Sequence, residues 1–513
     1  MKKLVECVPN FSEGRDQNKI GDILKQMSDV PGITVLDVDS GPDTNRTVVT
    51  IVGSPEAVGE AAFQGIKRAS EVLDMSQHSG THPRMGATDV CPFIPVSDVT
   101  IQECVELSKQ VGQRVGDELR TPVYLYEKSA QKDNRVKLPD IRKGEYEGFA
   151  EKLTDPNWEP DFGPAKLHMK AGATVMGCRE FLIAYNINLN TKDHRLATDI
   201  AFELREAGRS KRTPNPNSKN LLDGEIVRNE DGSPVKVPGM FKDVKGIGWY
   251  VDIYNRAQIS INFNNFKVST IHDVFDAACI LANERGIRVT GSELVGLIPL
   301  EAMLMAGRHY LNKQNRSLGV PTADIVECAV QSLGLNDVTE FDPNVKIIDY
   351  AVQFEDRPLM NLVGKEFVEE LSTNSPAPGG GSVSALAGAL GAALSSMVAA
   401  LSHEKKELLD LKPEMSEIGI EAQKLKDRLS FLVDEDTNAF NKVMDANRLS
   451  ATNDEEQTAK NQAIEIANKY AIEIPMETAK KCFCVIELAD TLVEKGNPNS
   501  VSDAGVAAEV ALA

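Results

Sequence analysis

The sequence predicts a multidomain chain: two α/β units of the split β-α-β, ferredoxin-like kind, followed by an all-α helical domain. Three observations carry this. Strand-like and helix-like hydrophobic periods alternate up to about Tyr350. The order of elements in the first stretch recurs in the second. From Lys365 onward the β-branched strand pattern vanishes and helical spacing takes over. A chain of 513 residues exceeds one ordinary domain, and 42% hydrophobic residues suffice for large cores.

Leu4–Val8 reads as a short apolar strand, and Asp16 caps a helix running to about Met27. Ile33–Val38 and Arg46–Val52 are strands joined by the turn-rich DSGPDTN. Ser54 followed by Pro55 is a cap residue with proline at the first helical position, opening a helix to about Leu73. The strand Val90–Val96, a helix from Ile101 to Asp117 and the strand Pro122–Tyr126 complete the order β-α-β-β-α-β-α-β. A related order follows: strand Phe181–Leu189, helix His194–Glu206, strands Gly246–Asp252 and Gln258–Phe263, helix Val274–Arg285, strand Ile287–Thr290, helix Pro299–Leu311. Each unit is expected to be an antiparallel or mixed sheet with helices on one face, leaving a cleft between the two sheets for a small molecule. Lys128–Met176 has few long apolar runs, and Arg212–Lys242, rich in Pro, Asn, Gly and Asp, reads as an exposed loop or β-ribbon. The boundaries are placed at 1–178, 179–352, a linker 353–364, and 365–513.

The helical domain opens on the glycine-rich turn SPAPGGGS, Ser375–Ser382, followed by the uncharged run Val383–Leu401. Nineteen uncharged residues reach membrane-span length, yet most are Ala, Ser and Gly. A buried helix in close contact with its neighbours is expected instead. Glu414–Ala446 and Asp454–Lys480 are long amphipathic stretches, and Pro475 should kink or break the second. LVDEDTNAF holds three acids among large apolar residues, a pattern in which one acid faces inward. GNPNSVSDAGVAA is a turn followed by another small-residue helix.

A formal net charge of −20 argues against nucleic acid or an anionic membrane as partner. Eight scattered cysteines without a C-x-x-C pair suggest reduced, buried thiols of a cytoplasmic protein. The start, MKKLVECVPNF, turns polar within a few residues, so no signal peptide is expected.

Chemistry concentrates in Asp74–Val96, DMSQHSGTHPRMGATDVCPFIPV, which holds two of the seven histidines, His78 and His82. Gly80 and Pro83 break any helix that would set both on one face, and H-E-x-x-H is absent, so no metal site is assigned. One isolated loop histidine is structural by default. The company of Arg84, Asp89 and the glycines favours a loop that binds or reacts. In DFGPAKLHMKAGAT, Gly163, Pro164 and Gly172 bound Lys166, His168 and Lys170, alternating cations suited to an anionic ligand or, equally, to a solvated loop.

LVECVPNFSEG, DVDSGPDTNRT, HSGTHPRMGATDVCPFIPV, DFGPAKLHMKAGATVMG and GIGWY closely resemble glutamate formimidoyltransferase. APGGGSVSALAGALGAAL, LVDEDTNAF and GNPNSVSDAGVAA resemble the formimidoyltetrahydrofolate cyclodeaminase family, and their order matches the bifunctional formimidoyltransferase-cyclodeaminase. The resemblance implies transfer of the formimino group from N-formimino-L-glutamate to N5 of tetrahydrofolate. It then implies closure to 5,10-methenyltetrahydrofolate with loss of ammonia, in histidine degradation. Tetrahydrofolate, in polyglutamylated form where available, is a co-substrate and no metal is implied. A homo-oligomer formed through the helical domain is expected. The family's catalytic histidine falls on His82 and its folate segment on Gly163–Gly172. Asp39 is a candidate to orient His82 or meet the cationic formimino group; Arg46 or Arg84 is a candidate to hold a glutamate carboxylate. For ring closure the resemblance points loosely to Asp410, with Asp434, Asp436 and Asp503 as comparable acids. Gly379, Gly380, Gly381 and Ser382 are read as a cradle for the pterin or a carboxylate. The family pattern continues past SDAGVAA, so the helical domain is expected to be shortened at Ala513. The rival reading keeps the transferase and makes the helical domain a methenyltetrahydrofolate cyclohydrolase, or a non-catalytic folate-binding or oligomerisation module.

Overall fold

The computed structural model describes residues 3–42, 44–80, 82–352 and 357–513. The start of the expected linker, 353–356, lies outside the described residues. Two compact units separate: residues 1–302 with 334–354, and residues 303–333 with 355–513.

The first unit begins with β1 (Leu4–Cys7) and β2 (Asn10–Phe11), two pieces of one strand line separated near Pro9. Next come α1 (Gln17–Ser28), β3 (Thr34–Gly41), β4 (Arg46–Gly53), α2 (Pro55–Val72), β5 (Thr88–Ser97), α3 (Ile101–Glu118) and β6 (Val123–Glu127). The helix starts are chemically specified. Asp16 accepts from the amides of Asn18 and Lys19, Ser54 accepts from that of Ala57, and Thr100 with Glu103 forms a reciprocal capping box. The short helices α4 (Leu138–Arg142) and α5 (Phe149–Lys152) precede β7 (Thr174–Cys178). The sheet runs β3, β4, the β1/β2 line, β5, β7, β6. Its first pairings are antiparallel, whereas β5, β7 and β6 run parallel. One face packs Val5, Cys7, Phe11, Ile51 and Phe93 against Ile23, Phe63, Ile66 and Val115 of the helices.

The other face is not left bare. Tyr124, Tyr126, Val90 and Val175 are covered by Ile141, Phe149 and Trp158 from the 128–176 segment, whose sequence shows few long apolar runs. Buried Arg135 anchors that cover. It stacks 5.0 Å from the Tyr124 ring centroid, donates to the Asn157 carbonyl and pairs with Asp161 at 3.0 Å.

The second sheet contains β8 (Ile183–Leu189), β9 (Val244–Val251), β10 (Arg256–Phe263) and β11 (Val289–Val295), in the order β9, β10, β8, β11, all antiparallel. It carries α6 (His194–Leu204) and α7 (Ile271–Glu284). The insertion forms two small ribbons, Arg212–Thr213 with Glu225–Ile226 and Arg209–Ser210 with Lys236–Val237. The last strand lies further along than its sequence suggests. Arg285 and Gly286 form the turn, Ile287 and Arg288 lie outside the strand, and the polar stretch Thr290–Glu293 joins the sheet through β8. Helices α8 (Leu300–Lys313) and α9 (Thr322–Leu333) follow.

In the second unit, α10 (Gly364–Leu371) precedes α11 (Gly380–Glu404), which packs against α12 (Lys412–Arg448), α13 (Asp454–Lys495) and α14 (Val501–Leu512). Small residues permit this close approach. A methyl on Gly388 would lie 2.5 Å from Cys482 Sγ, and one on Gly391 2.7 Å from the Ala507 carbonyl oxygen. By length and composition α11 passes for a membrane span, but half of its most apolar stretch is buried by its neighbours. Helix α13 runs unbroken through Pro475. Proline forfeits only one intrahelical bond there, and buried Ile474 and Thr478 on either side hold the helix in its packing.

Candidate active sites

His82 lies half-buried on the loop between α2 and β5. Its Nδ1 is 2.7 Å from the Pro83 carbonyl oxygen and 2.7 Å from Arg46 Nη1. Nε2 lies 3.0 Å from the same Arg46 Nη1. Burial, and next the Arg46 charge, hold the His82 pKa below the ordinary histidine value, so the ring is neutral at pH 7. Arg46, at the start of β4, also donates from Nε to Asn10 Oδ1 at 2.9 Å and reaches Asp89 Oδ2 at 3.3 Å. Burial pushes the Arg46 guanidinium down to about 10. Asp89 has a second cationic partner, Arg142, and accepts the Met85 amide at 2.9 Å.

Several sequence expectations change here. Arg84 is not available for a substrate carboxylate. It is buried, with Glu147 at 2.6 Å, Glu145 at 3.0 Å and His78 Nδ1 at 3.2 Å as its partners. Charge pairing across the 143–148 turn satisfies it completely. His78 also donates from Nε2 to the Asn45 carbonyl at 3.0 Å, so it is a fixed, neutral brace of the loop. These residues line a cavity of about 450 Å³, with Ser79, Gly80 and Gly144, on which His82 does not border. Asp39 does not orient His82. It sits exposed on β3, in register with Val48, which in turn faces Asn10. Two strand spacings, about 10 Å, separate it from Asn10. The carboxylate that acts on His82, through Arg46, is Asp89. The sequence reading also missed Arg142, because nothing periodic marks the segment that carries it.

The 163–172 segment does reach the histidine loop. The Ala87 amide donates to the Ala171 carbonyl at 2.8 Å and the Ala173 amide to that of Met85 at 3.1 Å. Gly86 and Gly172 pair as backbone, and Gly172 adopts φ +67. Gly163, φ +80, fits against Thr121 and Gly116, and the Lys166 amide turns back onto the Pro164 carbonyl. His168 caps the turn, its Nδ1 accepting the Ala171 amide at 3.0 Å. Lys166 and Lys170 are exposed and have no ion-pair partner among the described residues.

In the helical unit the glycine-rich turn opens α11 with Gly379 at the cap. Gly380 has open space where a side chain would stand, while a methyl on Gly381 would lie 2.1 Å from Asp436 Oδ1. Ser382 Oγ is 3.4 Å from Asp436 Oδ2 and 3.3 Å from Thr437 Oγ1. The turn and Asp436 therefore form one site. Asp434 is the inward acid of its cluster, 5% exposed, accepting the amides of Leu359 at 2.8 Å and Met360 at 3.3 Å. Its place is structural. Asp410 is exposed in the 3-10 turn Lys406–Leu411 beyond the other end of α11. The 25 residues of that helix put Asp410 and the glycine-rich turn roughly 36 Å apart within one chain. Asp503 belongs to the Asp410 end, where the Asn497 amide bonds to Ser402 Oγ at 2.8 Å.

Three family models match this chain. A formiminotransferase N-terminal subdomain covers residues 4–179, a formiminotransferase domain 184–353, and a formiminotransferase-cyclodeaminase model 364–513. A formimidoyltransferase-cyclodeaminase of Dictyostelium discoideum is 45% identical over 94% of this chain and 84% of its own length. A glutamate formimidoyltransferase of Streptococcus pyogenes is 40% identical over 61% of this chain and 95% of its own. The helical part is also similar to a methenyltetrahydrofolate cyclohydrolase of Methylorubrum extorquens, 38% identical over 28% of this chain and 68% of that protein.

Proposed function

The chain belongs to the formimidoyltransferase-cyclodeaminase family, and from that premise we propose that it carries both activities. Residues 1–352 move the formimino group from N-formimino-L-glutamate to N5 of tetrahydrofolate. Residues 365–513 close 5-formiminotetrahydrofolate to 5,10-methenyltetrahydrofolate and release ammonia, in histidine degradation.

The observation that carries the transferase reading is the state of His82. It is a neutral imidazole with Nδ1 against the Pro83 carbonyl and both ring nitrogens within reach of the Arg46 guanidinium. N5 attacks the amidine-like carbon to form a tetrahedral intermediate. His82 Nε2 takes the N5 proton and returns one to the glutamate nitrogen as the C–N bond breaks. Asp39, exposed on the same sheet, is our choice to meet the cationic formimino group. Lys166 and Lys170, without an ion-pair partner among the described residues, suit the carboxylates of a folate tail, polyglutamylated or not.

For ring closure, N10 attacks the same carbon and ammonia leaves with a proton. Asp436, beside the glycine-rich turn, is our choice for that proton transfer, with the amides around Gly380 open to a carboxylate or the pterin. Exposed Val383, Leu390 and Met397 recur every seventh residue on α11 and support assembly with further copies through the helical unit. Work on soluble substrates favours a cytoplasmic protein.

One assay tests the whole: formiminoglutamate and tetrahydrofolate are supplied and glutamate, ammonia and the methenyl product are followed together. All three in step are expected. Glutamate with no enzymatic ammonia would leave the helical unit as a cyclohydrolase or an assembly module. No glutamate would overturn the role of His82.

A further inference from the structure

We propose that Arg142, with Arg46, is the receptor for the α-carboxylate of the formimino donor and so makes the enzyme require an α-amino acid there. This rests on the transferase reading above. The argument begins with charge. Asp89, whose side chain is 2% exposed, is a single carboxylate shared by two guanidinium groups, Arg46 and Arg142. The other groups against Arg46 are the neutral His82 ring and the Asn10 amide oxygen. Among the described residues the cluster thus holds one positive charge more than it neutralises, in a half-buried place where an unbalanced charge is costly.

The cluster is also short of acceptors. Among the described residues, Arg142 Nε is buried with no hydrogen-bond partner. The one other arginine on the loop, Arg84, is saturated by Glu145 and Glu147. An incoming carboxylate supplies what is missing: negative charge and two oxygens for two planar donors.

Distance selects the carboxylate. Arg46 Nη1 lies 3.0 Å from His82 Nε2, the nitrogen that gives a proton to the departing glutamate nitrogen. The α-carboxylate is joined to that nitrogen through one carbon, so its oxygens lie about 3 Å from it, whereas the side-chain carboxylate is about two bond lengths or more further away. A carboxylate held by Arg46 while His82 addresses the nitrogen is therefore the α one. Its arrival draws Arg46 from the imidazole and frees Nε2 for the proton.

The test compares two donors on wild type, Arg142→Gln and Arg142→Lys. One donor is N-formimino-L-glutamate; the other is its analogue lacking the α-carboxylate, 4-formimidamidobutanoate. Wild type should prefer the first by about 10- to 100-fold in kcat/KM, the span of one charged hydrogen-bonding contact. Arg142→Gln should remove most of that preference, chiefly through KM, with little change on the analogue. Arg142→Lys, which keeps charge but loses the fork, should fall between. Equal losses on both donors would assign Arg142 to the support of Asp89 and overturn the proposal. If Arg142→Gln does not fold, wild type alone decides, because indifference to the α-carboxylate overturns it too. Wild type inactive on both donors would instead overturn the transferase reading.

Discussion

Replacing Gly172 by alanine should cost the first unit its histidine loop. Gly172 adopts φ +67, a conformation that costs an alanine about 1–2 kcal/mol. Its new Cβ would lie 2.2 Å from the Met85 carbonyl oxygen and 2.7 Å from Gly86 Cα, both main-chain atoms with no flexible end to yield. Real Cβ atoms essentially never approach below 3.0 Å, so the two strands of chain must part by most of an ångström. Overpacking of this kind costs about a further 1–3 kcal/mol. Parting also strains the bond from the Ala173 amide to the same Met85 carbonyl. The expected loss is about 2–5 kcal/mol, read as a fall in urea midpoint at constant m. Transfer should fall with it, while ammonia release from supplied 5-formiminotetrahydrofolate persists. Gly21→Ala is the internal control. Gly21 lies within α1 with nothing inside 4 Å of the added methyl, so it should gain about 0.5–1 kcal/mol. A Gly172→Ala protein that unfolds at the wild-type urea concentration would refute the close crossing of the two segments.

Other outcomes follow from single groups. Glu6, 4% exposed on β1, has its pKa raised by burial to about 7, with Arg179 only partly opposing. A carboxyl raised in the folded state favours folding least once ionised, so stability should fall as pH rises from about 4.5 through 7. Glu6→Gln should remove that slope and be more stable at pH 8 by about 3 kcal/mol; parallel stability–pH curves would contradict this. His82→Ala should abolish transfer with the fold and substrate binding retained. Because the folded His82 pKa lies below its usual value, wild-type kcat/KM should decline only below pH 6.5, as the base becomes protonated; a limb well above that pH would assign the base elsewhere. Asp434→Ala should destabilise the helical unit by about 1–3 kcal/mol for each orphaned amide, whereas Asp436→Asn should stop ammonia release with stability within about 0.5 kcal/mol of wild type. The reverse pattern would exchange their roles.

Element order was legible because it rests on local period and capping chemistry. Asp16, Ser54 and Thr100 start helices where their side chains say they should. The inward acid at 434 was legible as one of three among large apolar neighbours. The cover of residues 133–158 was not, since its anchors, Ile141, Phe149 and Trp158, are isolated in a polar stretch and have meaning only against Tyr124. Spaced aromatics with two arginines, Arg135 and Arg142, were the signal available, and period-based reading passes over them.

By itself the sequence determined the two α/β units, the helical domain, the loop that carries His82, the glycine-rich turn and the family, because periodicity and long motifs survive without coordinates. Tertiary structure alone decided which charge meets which. Arg46 reaches His82 from 36 residues away, Arg84 reaches Glu147 from 63, and Arg142 reaches Asp89 from 53. Ion pairs and hydrogen bonds act over about 3 Å, and nothing in chain order encodes a contact of that range between distant segments. The same limit separates Asp436 from Asp410: both stand in recognisable motifs, and only the length of the helix between them shows that one chain cannot bring them together.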